Sequence, residues 1–435
     1  MRTKYVLGCL GLLGLISGVL CTGGAVRWLR VPVIEIPPRK YPPNNAYESY
    51  RALAQRMSAD LGADGFFNEV EQRLFPMRGS PTADAADRAY YLQRMSPYLK
   101  EYTLYLDSPS VAVFEYDANW LMPEMVHFRR IARAEALLME EELRRGQSAA
   151  AVQRARRLTR FAEQIRNDGA LIHYLVGIAI NAIAIDSLRK ELPNLRDSKA
   201  LRAIVQMVRD YEKHRTPMLR SIQHEYYFGL SVYRDLATGR LSYDQLAQSE
   251  PADNPLSSSS AWFLPSTRIM VNTALPEYRQ LMKQVIDEFK KPCWARSRTE
   301  PSPKHPLNAL LLPVFSQASL KEVHELALMR LLGCAAAIRL FKQRTGRYPT
   351  TLDELQLGQM IIDPYSGKPF IYRTHPAKGF LLYSVSANRV DDGGWSPYRS
   401  VAISEGDLIP VRRPLPKSLR HQNSGQRLCP PVWLK

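Results

Sequence analysis

The sequence predicts a mainly α-helical protein: an N-terminal transmembrane helix, an extracytoplasmic helical bundle or short irregular helical solenoid, and a small C-terminal α+β unit with a β-hairpin. Three observations carry this expectation. Tyr5 to Val26 is a run of 22 residues without a charge, apolar residues recur at three- and four-residue steps between Ala46 and Phe289, and two β-rich runs lie close together from Phe370 onward. An apolar content of 45% against 23% charged residues is that of a folded globular chain.

The uncharged run is long enough to cross the ~30 Å hydrocarbon core as a helix. Arg2 and Lys4 precede it and Trp28 follows at the level of an interfacial aromatic. That arrangement predicts a membrane anchor over 1–28 with its N-terminus in the cytoplasm and the rest of the chain outside. A cleaved signal peptide is the competing reading, because Thr22 to Ala25 are small. Residues 29–45 hold "VPVIEIPPRKYPPNN". Proline at that density favours extended polyproline II over helix, so the segment reads as a stalk.

A helical domain is predicted over 46–294. Ala151, Val152, Ala155, Leu158, Phe161, Ala162 and Ile165 form one apolar stripe, flanked by Arg154, Arg156, Arg157 and Arg160. "RNDG" ends that helix, and "ALIHYLVGIAINAIAI" begins another that is apolar nearly all round. With His173 and Asn181 inside, it reads as a central helix, with a second membrane span as the alternative. Further helices are expected over Ala83 to Leu106, Trp120 to Arg145, Leu201 to Ala237 and Tyr278 to Phe289. "ARSRTEPSPKHPL" reads as a linker over 295–309, which makes the stretches before and after it separate packing units.

Charge and cysteine usage narrow the function. The net charge of +17 suits an anionic partner, but the excess is scattered and no aromatic-interleaved nucleic-acid motif accompanies it, so no nucleic-acid partner is expected. Residues 404–435 read as a solvated basic tail containing proline. Among the five cysteines, Cys334 falls in an apolar helix, which leaves Cys293 and Cys429 as the available disulfide pair. No phosphate loop, nucleophile elbow or dinucleotide fingerprint is present. The pairs His224–Glu225 and His324–Glu325 lack the second histidine of a helical zinc site. No catalytic residue is therefore assigned; a hydrolase would need a pocket gathering His173, His224 or Glu225.

The C-terminal unit spans 310–403. Leu326 to Phe341 is an apolar helix, "RTGRYPTTLDEL" ends it at Gly346, bends at Pro349 and starts a short helix, and "DPYSGKP" is a turn. Phe370 to Thr374 and Phe380 to Ser386 follow as a hairpin, and "SANRVDDGG" leaves it as an acidic loop. This order, carried by Gly346, Arg347, Tyr348, Pro349, Leu352, Leu355, Asp363, Pro364, Tyr372, Tyr383 and Ser384, resembles the globular domain of the major pseudopilin of the type II secretion system over about 335–394. The start of the chain departs from that family. It has neither the Gly-Phe processing site nor the helical glutamate, and some 300 residues separate the first helix from the module.

The resemblance therefore implies a bacterial envelope protein with a pseudopilin-like module closing a membrane-anchored chain. It would lie in the cytoplasmic membrane with a single span. In the family, the loop after the last matched strand holds calcium, an ion that takes six to eight oxygens. Here Asn388 stands in place of an aspartate and Arg389 in place of a glycine, with Asp391 and Asp392 remaining. A calcium site over Asn388, Asp391 and Asp392 and a solvated acidic turn are both open. The expected function is non-catalytic binding or scaffolding, with another envelope protein or an acidic polymer as partner. An accessory part of a secretion or pilus-like machine is the alternative.

Overall fold

The computed structural model describes residues 28–76, 81–118, 120–242, 245–246, 264–397, 406–412 and 428–435. The expected membrane span, Tyr5 to Val26, lies outside them. The described chain is mainly helical, with a small sheet region near its end.

Helices α1 (Ala46–Gly62), α2 (Gly65–Leu74) and α3 (Ala85–Tyr102) lead into the long elements α4 (Glu124–Arg144), α5 (Ser148–Arg166) and α6 (Leu171–Glu191). Asn45, Asp64 and Asp84 cap the first three, each accepting a backbone N–H of the first turn. The stripe on α5 is buried as its spacing predicts, from Ala151 to Ile165. Helix α6 is long and apolar enough to cross a membrane, and here it packs against α4, α5 and the later helix Phe315–Thr345, with most of its surface covered.

The segment from Leu201 to Ala237, expected as one helix, is two: α7 (Ser198–His214) and α8 (Leu219–Thr238). Pro217 explains the break, since it disfavours helical backbone at the residue before it and removes a donor. Helix α9 (Leu264–Lys290) pairs with α8 so closely that a Cβ at Gly229 would sit 1.9 Å from the Tyr278 hydroxyl. The short α10 (Pro306–Leu311) precedes α11 (Phe315–Thr345), which ends at Gly346 with φ 76°.

Helix α11 overturns the expected division into two units. Every residue from Glu325 to Arg339 is buried, and the helix packs on α7 and α6, so one continuous core runs from α1 through α7 and α11 to the hairpin. A helix apolar on all sides must be enclosed by something, and here the preceding helices enclose it. Arg330 fixes the contact with two hydrogen bonds to Glu212 at 2.6 and 3.0 Å. The proposed linker is packed as well. Arg296 donates to Glu322 at 2.6 Å, and Glu277 accepts the backbone N–H groups of Lys304 and His305. A smaller core lies under α8, α9, α10 and the start of α11.

Two terminal expectations change similarly. Residues 31–42 form neither helix nor strand, in keeping with their prolines, and a turn with Asn44 at φ 57° follows; they make a strap lying along the body instead of a projecting stalk. Ile34 and Ile36 pack on the smaller core, and Arg39 enters the structure with 7% of its side chain exposed. The chain end is no solvated tail where it is described. Leu408 exchanges hydrogen bonds with Ser384, Leu434 does so with Phe380, and Arg189 donates to the carbonyls of Ile409, Pro410 and Val411.

The hairpin has the predicted form. Strand β1 (Ile371–His375) pairs antiparallel with β2 (Gly379–Tyr383), with Ile371 opposite Tyr383. Asp363 joins the preceding turn to the strand end by accepting from the N–H groups of Tyr365 and Val385. A second pair, β3 (Ser396–Pro397) with β4 (Leu428–Cys429), holds Cys429 far along the chain, and no disulfide joins it to Cys293.

Candidate functional site

The polar face of α7 builds the most distinctive surface. Its apolar side, Leu201, Ile204, Val205 and Val208, faces the core, which leaves Arg202, Gln206 and Arg209 exposed at helical steps of four and three. Opposite stand Gln343 and Arg344 at the end of α11 and the turn Glu354 to Leu357. Between them lies a cleft of about 1180 Å³ lined by five arginines, Arg156, Arg196, Arg202, Arg209 and Arg344, with Leu340, Phe341 and Leu355 in its apolar part.

The arginines differ in what holds them. Arg156 meets Asp210 at 2.6 Å, while Arg196 donates to the Pro193 carbonyl and to an oxygen of Lys435, the last residue of the sequence, and Arg202 approaches Ser198. Arg344 lies over the Phe341 ring at 5.6 Å. Among the described residues, Arg202, Arg209 and Arg344 form no ion pair. The single acid lining the cleft, Glu354, is engaged elsewhere. A hydrogen bond from Arg347 and others from the Thr350 and Thr351 N–H groups hold its pKa down to about 2. Guanidinium groups without a carboxylate, gathered over an apolar floor, can grip carboxylate, sulfate or phosphate oxygens in bidentate fashion.

The histidines singled out from sequence do come together, around Phe114, whose ring lies 5.3 Å from both His173 and His224. His173 is sealed from solvent, and burial pushes its pKa down to about 3, so it is a neutral core residue. His224 bonds Tyr116 Oη at 2.8 Å and Asp168 Oδ1 at 2.9 Å, with Arg39 at 3.1–3.2 Å from its ring nitrogens. Glu225 accepts the Leu171 N–H. These contacts clamp the strap: Arg39 also donates to the carbonyls of Ala112 and Asp168, both at 2.8 Å. His324 contacts Tyr365, and Glu325 belongs to a buried ion network described below.

In the acidic loop, Asp391 accepts from Tyr383 Oη at 2.8 Å and from the Gly393 N–H, and Asn388 donates to Asp392 at 2.8 Å. Asp407, which sequence reasoning missed, joins these carboxylates by accepting the Gly394 N–H. Burial, helped by Asp392 and Asp391, pushes its pKa up to about 7. Asp391 Oδ1, Asp392 Oδ2 and Asp407 Oδ2 accept internal hydrogen bonds, and among the described residues no group of three or more metal-ligating side chains is set around a common point.

The cleft arginines were equally missed. Their one sequence signal is the spacing of Arg202, Gln206, Arg209 and Lys213 on the face of α7 opposite its apolar stripe; Arg344 stands more than a hundred residues away. No protein-family model, curated protein or solved structure matches the chain, so its function is read from this geometry.

Proposed function

We propose that this protein is a non-catalytic, membrane-anchored component of the bacterial envelope that binds an anionic partner in the arginine cleft. In this reading Tyr5 to Val26 spans the membrane, the helices form an extracytoplasmic bundle, and the pseudopilin-like module supplies one wall of the site. The carrying observation is that three of the five cleft arginines, Arg202, Arg209 and Arg344, have no anionic partner among the described residues. Cationic groups left unpaired beside one another repel, and a bound anion relieves that repulsion.

The test is binding of fluorescent dextran sulfate to the full-length protein in detergent, followed by anisotropy. The wild type binds it and ignores neutral dextran, and affinity falls as salt rises. Replacing Arg202, Arg209 and Arg344 together by alanine weakens binding at least ~tenfold, about 1.4 kcal/mol. Equal binding by the two proteins would remove the cleft from the function.

A further inference from the structure

A second hollow, of about 650 Å³, lies on the other side of Arg156, which lines both. It runs between α5 and the C-terminal half of α7, so the two hollows follow α7 from Ser198 to His214. At ~1.5 Å per residue that track is roughly 24 Å long, more than a single small anion occupies.

The second hollow is chemically unlike the first. Arg156, Arg157 and Arg160 line it together with Asp107, Asp210 and Glu163, the last held by the buried Arg166. Arg156 is paired with Asp210 at 2.6 Å, and Arg160 lies 3.5 Å from Asp107. Gln153, Asn167 and several hydroxyls complete the lining. A wall of carboxylates, amides and guanidiniums of both charges suits a ligand that donates and accepts at once, as sugar hydroxyls do. It disfavours a chain with a negative charge on every unit, because Asp107 and Asp210 would repel it.

From this we infer that the ligand is a linear acidic oligosaccharide, whose charged groups lie among the arginines of the cleft while its neutral hydroxyl-bearing part occupies the second hollow. The inference rests on the proposed anion binding and names its ligand class. It accounts for two adjoining hollows of different polarity on one helix, which a compact anion or a uniform polyanion leaves unexplained.

The experiment compares three probes on the full-length protein: galacturonate monomer, a galacturonate hexasaccharide partly methyl-esterified, and inorganic polyphosphate of matched charge. The hexasaccharide is expected to bind at least ~tenfold tighter than either of the others. Gln153 is an exposed position on the rim of the second hollow. Gln153→Trp fills the hollow and is expected to abolish the hexasaccharide's advantage while dextran sulfate still binds; Gln153→Ala keeps most of it. A hexasaccharide no tighter than the monomer, polyphosphate binding as tightly, or Gln153→Trp without effect would each overturn the inference while leaving anion binding intact. Failure of dextran sulfate itself to bind would overturn both.

Discussion

Arginine is used in two opposite ways in this chain. Arg166, at the end of α5, is fully buried, ion-paired to Glu163 and at 2.7 Å to Glu325, and it lies over the rings of Tyr174 and Tyr211. Burial opposes its charge, but Glu163 and Glu325 outweigh that and push its pKa above the ordinary arginine value. Asn181 extends the network by donating to Glu325 at 2.7 Å and accepting from Thr159 at 2.9 Å. Arg202 and Arg209 sit on the surface beside other cations, and neither forms an ion pair among the described residues. The buried guanidinium is consumed by the fold. The exposed ones are left over, and being left over makes them available to a ligand.

Breaking the buried arrangement has the largest expected effect. Arg166→Met strands two carboxylates in the core and costs about 3–5 kcal/mol of stability, measured by denaturant unfolding. Combining it with Glu163→Met and Glu325→Met recovers much of that loss, since a buried ion network can often be replaced by apolar groups of similar volume. No recovery would show that the charges, beyond the volume, are needed.

Arg39 stands between the two cases, enclosed and 3.5 Å from the Asp168 carboxylate, but also hydrogen-bonded to neutral groups, two of them carbonyls. Arg39→Ala leaves the Ala112 and Asp168 carbonyls without this donor, at a cost of about 1–3 kcal/mol. Proteolysis of the strap, residues 30–45, becomes faster while the helical body stays resistant. Unchanged cleavage would mean that Ile34 and Ile36 suffice to hold it.

An acid offers the same comparison by pH. Asp407 keeps its proton in the fold up to about 7, whereas the unfolded chain releases it near the ordinary aspartate value. Between about pH 4 and pH 7 the folded state therefore binds more protons. This residue's contribution to stability is fully present at the acid end, falls as pH rises and is flat above it. Asp407→Asn removes that component, so the difference between the two proteins' melting temperatures changes across the window. A constant difference would place the carboxylate in a wetter site.

The smallest effect belongs to the exposed arginines. Arg202→Ala with Arg209→Ala shifts stability by no more than about 0.5 kcal/mol, although it weakens anion binding. A larger loss would show these side chains to be structural.

What the sequence made legible follows from local chemistry. The α5 stripe, the Gly346 stop, the Asp363 turn and the hairpin are each specified within a few neighbouring residues. The site is assembled from α5, α7 and the end of α11, and which arginine finds a carboxylate depends on packing between them. The strap was misread for a related reason: its prolines specify an extended backbone, whereas Ile34, Ile36 and Arg39 decide what that backbone lies against. In α11 the apolar run was visible, but not which helices would surround it.

The position of α11 in the chain has a consequence for biosynthesis. The faces of α6 and α7 that enclose it are made more than a hundred residues before it emerges, a delay of roughly ten seconds at ordinary rates of synthesis. Throughout that interval Ile204, Val208 and their neighbours have no permanent cover, and the unfinished chain is a candidate for chaperone capture. Ribosome stalling or early termination before Phe315 would release a sticky fragment instead of a smaller stable domain.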